Sequence, residues 1–374
     1  FAPPQGMSEM GIFTWLLGVS ILLRTTLTVY FVPYTAMGAE LSTDYDQRTT
    51  IAKARVTLGW IAGMALPAIA FSFFFQPQNG IDGRLVAENY WYYGILSAAV
   101  AGVTALICII GTRSVIPWLP VATAKAPFKW TDPYNDIIGV CVNRNFRISI
   151  GSSLAFGMST GAYATLSLYL ATYFWELSVA QLAGFVVPTA IATLVAFMVL
   201  GPLGRRFDKP TLMAVFSLVL ASNSVWLFGG RLFDVLPSNG HPMLYSLLLL
   251  NTGIAVFSIV CLQIMSASFA ADILDELEWQ TGKRQEGVIF AVGAFLSKAT
   301  IGAGALIAGV VIQWVGIQSD SVPGQVPADV LQSLGWFTLI IVAGFSMIGF
   351  GFTTQFRLNR DDHAKLRKTL DATS

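Results

Sequence analysis

Charge is the scarcest property of this sequence. Asp, Glu, Lys and Arg together make up 11% of its 374 residues, where soluble domains carry about 25%. So few charges cannot cover a water-facing surface when 55% of the residues are hydrophobic. The charges nearly cancel, to +1, so the chain has neither the broad basic field that draws nucleic acid nor a broad acidic one. Histidine is limited to His241 and His363, and cysteine to Cys108, Cys141 and Cys261. Neither type clusters with metal-ligand spacing. An odd, widely spaced set of cysteines gives no disulfide framework, and the three are expected as free thiols. A phosphate-binding loop is also missing, because Gly282-Lys283 lacks the upstream glycine spacing and the following Ser or Thr. No Ser-His-Asp set and no intramembrane nucleophile with a base stands out. The sequence points away from an enzyme.

What it has instead is long apolar runs, with 26 Phe and a mean hydropathy of +0.64. A membrane-spanning helix needs about 20 mostly apolar residues. Nine stretches meet that length: 10–36, 56–75, 91–112, 148–172, 182–203, 211–231, 243–271, 287–315 and 330–354. The chain is therefore predicted to be an all-α integral membrane protein with the lipid bilayer as its main partner. The polar segments between the runs alternate in character. Segments 41–55, 113–147, 204–209, 272–286 and 355–374 hold 18 of the 22 Lys and Arg. The alternate segments 1–9, 76–90, 173–181, 232–242 and 316–329 hold Arg84, with Arg231 at a helix edge. Basic loops stay in the cytoplasm, so the first set is predicted inside, together with the C-terminus. Aromatic groups such as Tyr90-Trp91-Tyr92-Tyr93 and Tyr173-Phe174-Trp175 fall at the expected interfaces. The longest inner segment, 113–147, divides the chain into a three-helix part (1–112) and a six-helix part with a tail (148–374). The first residues, Phe1-Ala2-Pro3-Pro4, read as an outer loop within a longer chain, and a six-plus-six arrangement predicts three further helices upstream.

Three strings carry a resemblance. The first is Val32-Pro33-Tyr34-Thr35-Ala36-Met37-Gly38-Ala39-Glu40-Leu41, followed by Asp44-Tyr45-Asp46-Gln47-Arg48-Thr49. The second is Asn143-Arg144-Asn145-Phe146-Arg147. The third runs from Ala271-Asp272-Ile273-Leu274-Asp275 to Thr281-Gly282-Lys283-Arg284-Gln285-Glu286-Gly287, with Lys298 in the next helix. In this order the strings resemble those of the glycoside–pentoside–hexuronide cation symporters of the major facilitator superfamily. The resemblance implies the fold of that superfamily, with this chain equivalent to helices 4–12 of twelve, and alternating access between two bundles.

Two cations lie within apolar runs. Arg24 shares a stripe with Ser20 and Thr28 at i, i+4 spacing. A central Arg costs about 2.5–3.5 kcal/mol on insertion scales, so it should face protein or water. It is expected either in the cavity, binding substrate or a carboxylate, or held by backbone carbonyls of a neighbouring helix. Pro33 is expected to bend the same helix. Lys298 shares a face with Ala291, Ala294, Ile301, Gly302 and Ala305, small residues that admit a helix or a ligand. The resemblance implies a functional lysine at Lys298; a snorkelling lysine is the alternative. It also implies that Arg55 reaches the substrate cavity, unless it is a positive-inside anchor, and that Gln263 stands where sugar carriers place a stacking aromatic. Gly59 and Gly63 have the spacing of a close helix contact. Phe31 is a departure, since sodium-coupled sugar carriers have an aspartate there. No apolar run holds a central Asp or Glu, and a cation site ordinarily needs a carboxylate. One is expected from an upstream helix.

The resemblance finally implies a cytoplasmic gate, with Arg48 pairing to Asp272 or Asp275 and with Glu278 and Arg284 completing the network. Solvated loop charges are the alternative. The function so predicted is a cation-coupled symporter for a sugar, glycoside or similar small polar solute. It needs no cofactor beyond a proton or sodium ion and works as a monomer in the cell membrane, the inner membrane of a bacterium. A lysolipid or other amphiphile carrier of the same fold, or a non-transporting receptor, remains open.

Overall fold

Long apolar runs close their backbone hydrogen bonds within the chain, because a bilayer offers none, and here every long run becomes a helix. The computed structural model describes residues 6–41, 45–75, 87–118, 132–282, 285–317 and 324–373. Among these the elements are α1 (Glu9–Glu40), α2 (Tyr45–Ile69), α3 (Ala87–Thr112), α4 (Asp132–Cys141), α5 (Arg144–Tyr169), α6 (Val179–Gly184), α7 (Val186–Arg206), α8 (Lys209–Leu232), α9 (Pro242–Thr281), α10 (Glu286–Val315), α11 (Ala328–Thr353) and α12 (Arg360–Thr373). No strand occurs among the described residues.

Each of the nine predicted spans is occupied by a helix, and seven are long and apolar enough to cross a membrane by length and composition. The other two, α2 and α5, have 25 and 26 residues but carry polar side chains along their length. Asp46, Arg48, Lys53 and Arg55 stand in the first part of α2; Arg144, Asn145, Arg147, Ser149, Ser152 and Ser153 stand in α5. Polar residues in such number lower the mean hydropathy of a helix below that of a run facing lipid on every side. Both also end in a single π-helical turn, Ala70–Phe74 and Leu170–Phe174.

Caps account for several ends. Ser8 accepts from the Gly11 amide at 3.2 Å, Asn143 Oδ1 from the Phe146 amide at 2.7 Å, and His241 Nδ1 from the Met243 amide at 3.1 Å. Each satisfies an amide that the first helical turn leaves open. Gly282 ends α9 with φ of 65°, a left-handed conformation that favours glycine. α1 runs through Pro33 without a break.

The chain divides into two compact units: residues 1–43 with 58–128, and residues 44–57 with 129–374. In the first, Phe75 packs its ring on Tyr90 at 4.7 Å and on Tyr93 at 5.7 Å, joining the end of α2 to α3. α1 and α3 present apolar side chains over most of their surface, with Leu22 69% and Ile110 72% exposed. Such surface is stable in lipid and would aggregate in water. Nothing described lies within 4 Å of where a side chain on Gly59 or Gly63 would begin, so the expected close contact at that spacing is not made among the described residues.

In the second unit α5 packs between α10 and α11, α8 packs on α9 and α11, and α7 packs on α9. Leu166, Phe174, Phe228, Leu244 and Leu334 fill the core at one end. Mid-helix, Asn223 and Asn251 donate reciprocally to each other's carbonyls at 3.0 and 2.9 Å. Each buried amide thereby gains a partner that lipid could not supply. The closest backbone approach is between α5 and α10. A side chain at Gly304 would start 2.5 Å from the Met158 carbonyl, and one at Gly161 would start 2.5 Å from the Ile301 carbonyl. The small-residue contact on α10 therefore runs through Gly304. The expected approach at Gly302, on the Lys298 face, meets nothing within 4 Å.

Candidate functional site

The densest chemistry of the second unit sits where α8 begins and α9 ends. Asp272, Asp275 and Glu278 are expected in an inner loop from the sequence, but α9 continues as helix through Thr281. The reason is the pattern Ile273-Leu274-Asp275-Glu276-Leu277, whose Leu274 and Leu277 are fully buried and hold the helix to its neighbours. Asp272 and Asp275, three residues apart, share one face, and they are 2% and 0% exposed.

Their described partners come from two other helices. Lys209, in the first turn of α8, places Nζ 2.6 Å from Asp272 Oδ2, with both side chains 2% exposed. His363 of α12 brings Nε2 to 3.1 Å from Asp275 Oδ2 and 3.8 Å from Asp272 Oδ1. Two buried carboxylates thus meet an ammonium and an imidazole among their described partners. Buried charges persist only when paired and hydrogen-bonded. Lys209 falls in the basic segment 204–209 and His363 in the basic segment 355–374, and neither position in the sequence points to this site.

The approach to α12 is fastened at further points. The Arg360 guanidinium donates to the carbonyls of Arg205 at 3.1 Å and Gly204 at 2.7 Å, satisfying groups that the last turn of α7 leaves open. Its amide donates to Asp208 Oδ1 at 3.2 Å. The Arg357 amide donates to Asn145 Oδ1 at 3.2 Å, while Asn145 Nδ2 donates to Glu276 Oε2 at 2.8 Å. Asn143 Nδ2 donates to Gln280 Oε1 at 3.1 Å. Two of the three strings that carried the resemblance, around residues 143–147 and 271–287, therefore meet in space, and the tail lies against both.

This wiring makes His363 testable. His363→Ala removes the Nε2 donor that faces Asp275, a loss of about 1–3 kcal/mol for a hydrogen bond to a buried charged group. Amide hydrogen exchange over residues 355–373 should accelerate, while His363→Gln, which keeps a donor, should restore part of the protection. Equal exchange in all three proteins would show that His363 does not hold α12.

The remaining gate candidates are placed less fully. Arg48 lies in α2, but its side chain falls outside the described residues, as does the whole of Arg284. Glu278 is half-buried on α9. Among the substrate candidates, Arg24 and Phe31 are exposed on α1, and Thr28 is half-buried with its hydroxyl donating to the Arg24 carbonyl at 2.7 Å. Arg55 is half-buried in the part of α2 that groups with the second unit. Its neighbour Lys53 holds Nζ 4.0 Å from the centre of the Phe197 ring, an attraction between a cation and the face of an aromatic. Gln263 is exposed on α9 between buried Leu262 and Ile264, and Lys298 is exposed on α10. Cys108, Cys141 and Cys261 are free thiols, and no group of His, Cys, Asp and Glu among the described residues could hold a metal ion.

Comparison with known proteins agrees with this architecture. An isoprimeverose transporter of Lactiplantibacillus pentosus is 20% identical over 355 residues, which is 93% of this chain and 68% of the relative. The sequence profile described as MFS/sugar transport protein matches residues 1–360. With its apolar helices and all-helical architecture, this multi-pass membrane protein belongs to the MFS/sugar transport protein family.

Proposed function

We propose that this protein is a secondary transporter that moves a sugar, glycoside or similarly sized polar solute by alternating access. The match of the family profile to residues 1–360 carries this reading. The three strings refine it to a glycoside–pentoside–hexuronide symporter driven by a proton or sodium gradient, working as a monomer in the cell membrane with its C-terminus in the cytoplasm. Arg24, Thr28, Phe31, Arg55, Gln263 and Lys298 form the solute path. Arg48, Asp272, Asp275, Glu278 and Arg284 form the cytoplasmic gate. A carrier of this kind needs contacts that exist in one state and break in the other. The buried position of Asp272 and Asp275 supports a gate role, because exposing them to water changes their energy by far more than it would for solvated loop charges.

Full-length protein in proteoliposomes tests this. Uptake of a radiolabelled panel of sugars and glycosides, isoprimeverose included, should saturate for at least one solute and rise when an inward proton or sodium gradient is imposed. Lys298→Ala should lower that uptake by roughly tenfold or more, equal to at least about 1.4 kcal/mol, without lowering the unfolding temperature. Movement of a lysolipid with no sugar uptake would replace this reading by an amphiphile carrier. No movement of any solute would leave a receptor.

A further inference from the structure

Lys53 stands on α2 within the basic segment 41–55, where a lysine ordinarily anchors a span by turning its ammonium to water at the membrane surface. The structure places it otherwise. Nζ lies 4.0 Å from the centre of the Phe197 ring and 3.9 Å from where a side chain on Gly201 would begin. Phe197 and Gly201 are one turn apart on α7 and share a face. The ring is therefore the seat of the ammonium, and the bare backbone of Gly201 gives it room. On α2 the neighbours Ala52 and Thr57 are 5% and 7% exposed, so the face that carries Lys53 is packed.

Three features set this contact apart from a permanent one. The first is the kind of partner. Lys209 is held by a carboxylate at 2.6 Å, whereas the described partner of Lys53 is the face of a ring. A ring face draws a cation from a broad range of positions and holds it less tightly than a buried carboxylate does, so the two can part without stranding a negative charge. The second is Thr57, one turn further along the same helix, whose buried hydroxyl has no hydrogen-bond partner among the described residues. Permanent cores seldom leave a polar group in that condition. The third is the division of α2 itself. Residues up to Thr57 group with the second compact unit, and those from Leu58 onward group with the first. One continuous helix thus serves both units, and a cycle that rocks one bundle against the other bears directly on α2.

We infer that Lys53 on Phe197 is a latch of the transport cycle, engaged in the state described here and released when α2 withdraws from α7. The inference rests on the alternating-access reading, in which such contacts form in one state and break in the other. It adds to the ionic gate a contact of different chemistry, with Gly201 as the positioning residue that keeps the seat open. Nothing in the basic segment 41–55 distinguishes Lys53 from an ordinary anchor until the ring appears beneath it.

Paired spin labels test it in full-length protein in nanodiscs, with no solute added. The labels sit at Ala54→Cys on α2 and Met198→Cys on α7, both exposed positions, after Cys108, Cys141 and Cys261 are replaced by alanine. The parent protein should show two distance populations. Lys53→Met and Phe197→Leu should each shift their ratio several-fold toward the longer distance, at an unchanged unfolding temperature. Lys53→Arg and Phe197→Trp, which keep a cation and a ring, should hold the parent ratio. Gly201→Leu should act like Lys53→Met by displacing the ammonium. Gly201→Ala should not, because 3.9 Å is an ordinary van der Waals distance. A single distance in the parent, or one ratio shared by every variant, would show a fixed structural contact and overturn the latch. An equal shift in Lys53→Arg and Lys53→Met would overturn it too, since the cation would then be irrelevant. Solute uptake keeps the two readings apart. Saturable uptake with a single distance removes the latch and leaves the transporter, whereas two responsive populations with no uptake of any solute leave the latch and remove the transporter.

Discussion

Lys209→Ala is expected to destabilise the protein by about 3–5 kcal/mol, the usual consequence of removing one partner from a buried ion pair. The size of the effect comes from what is left behind. Asp272 is 2% exposed and keeps its charge in a site that excludes water, with the His363 imidazole 3.8 Å from its other oxygen. Asp272→Asn in the parent protein should also destabilise it, because the buried ammonium loses the carboxylate 2.6 Å away. Combining Lys209→Met with Asp272→Leu should recover much of the loss, since replacing both charges by apolar groups of similar volume is often neutral. Unfolding followed by thiol-reactive dye at Cys261, which is fully buried, reports these differences. A single variant with an unchanged unfolding temperature would show that the pair does not persist in the folded protein. Transport separates stability from function. Under the proposed gate role the apolar double variant should be folded but transport poorly, because an apolar contact cannot exchange one ionic partner for another.

The second large effect concerns the crossing of α5 and α10. Gly304→Leu has no room on any rotamer: its first side-chain atom meets the Met158 carbonyl at 2.5 Å and the Ala162 amide nitrogen at 2.6 Å. Backbone cannot swing aside as a side chain can, so the helices must separate. Overpacking of this kind costs about 1–3 kcal/mol, and more where backbone is the obstacle. Gly161→Leu should behave alike, because Ile301 backbone atoms lie 2.5 and 2.8 Å from the same point. Gly309→Ala is the control. It lies one and a half turns further along α10 with nothing within 4 Å, and alanine there should be neutral or stabilising by up to about 1 kcal/mol. If Gly304→Leu and Gly309→Ala unfold at the same temperature, the close approach is not a determinant of packing.

The helices were legible because a spanning segment is long, apolar and continuous, three properties that a linear reading detects directly. The ends were less so. Asp272 and Asp275 mark the point where apolarity falls, and apolarity was the criterion for ending the span. Helical hydrogen bonding does not stop where the side chains turn polar, and Leu274 and Leu277 were the signal that α9 continues. The π-helical turns after α2 and α5 left no signature, since adding one residue to a turn depends on the neighbours that the turn meets.

The charge cluster was half visible. Resemblance pointed to Asp272 and Asp275, but Lys209 is 63 residues from its carboxylate and stands in a run, Arg205-Arg206-Phe207-Asp208-Lys209, that reads equally well as ordinary loop charge. Proximity of this kind arises from tertiary packing alone. His363 did leave a trace, as one of only two histidines and the companion of Leu366 and Leu370 at i+3 and i+7 in a tail otherwise rich in charge. For Lys298 and Gln263 the sequence shows a polar residue within an apolar run, and the structure adds that both are exposed on their helices.

Because His363 stands on α12, far along the chain from Asp275, the cluster also has a place in time. Asp275 is synthesised 88 residues before its imidazole partner. At translation rates of about 5–20 residues per second, it waits roughly 4–18 s before that partner exists. Throughout that interval Asp272 already has Lys209 within reach, while the Asp275 carboxylate is made before the imidazole that α12 later brings to it.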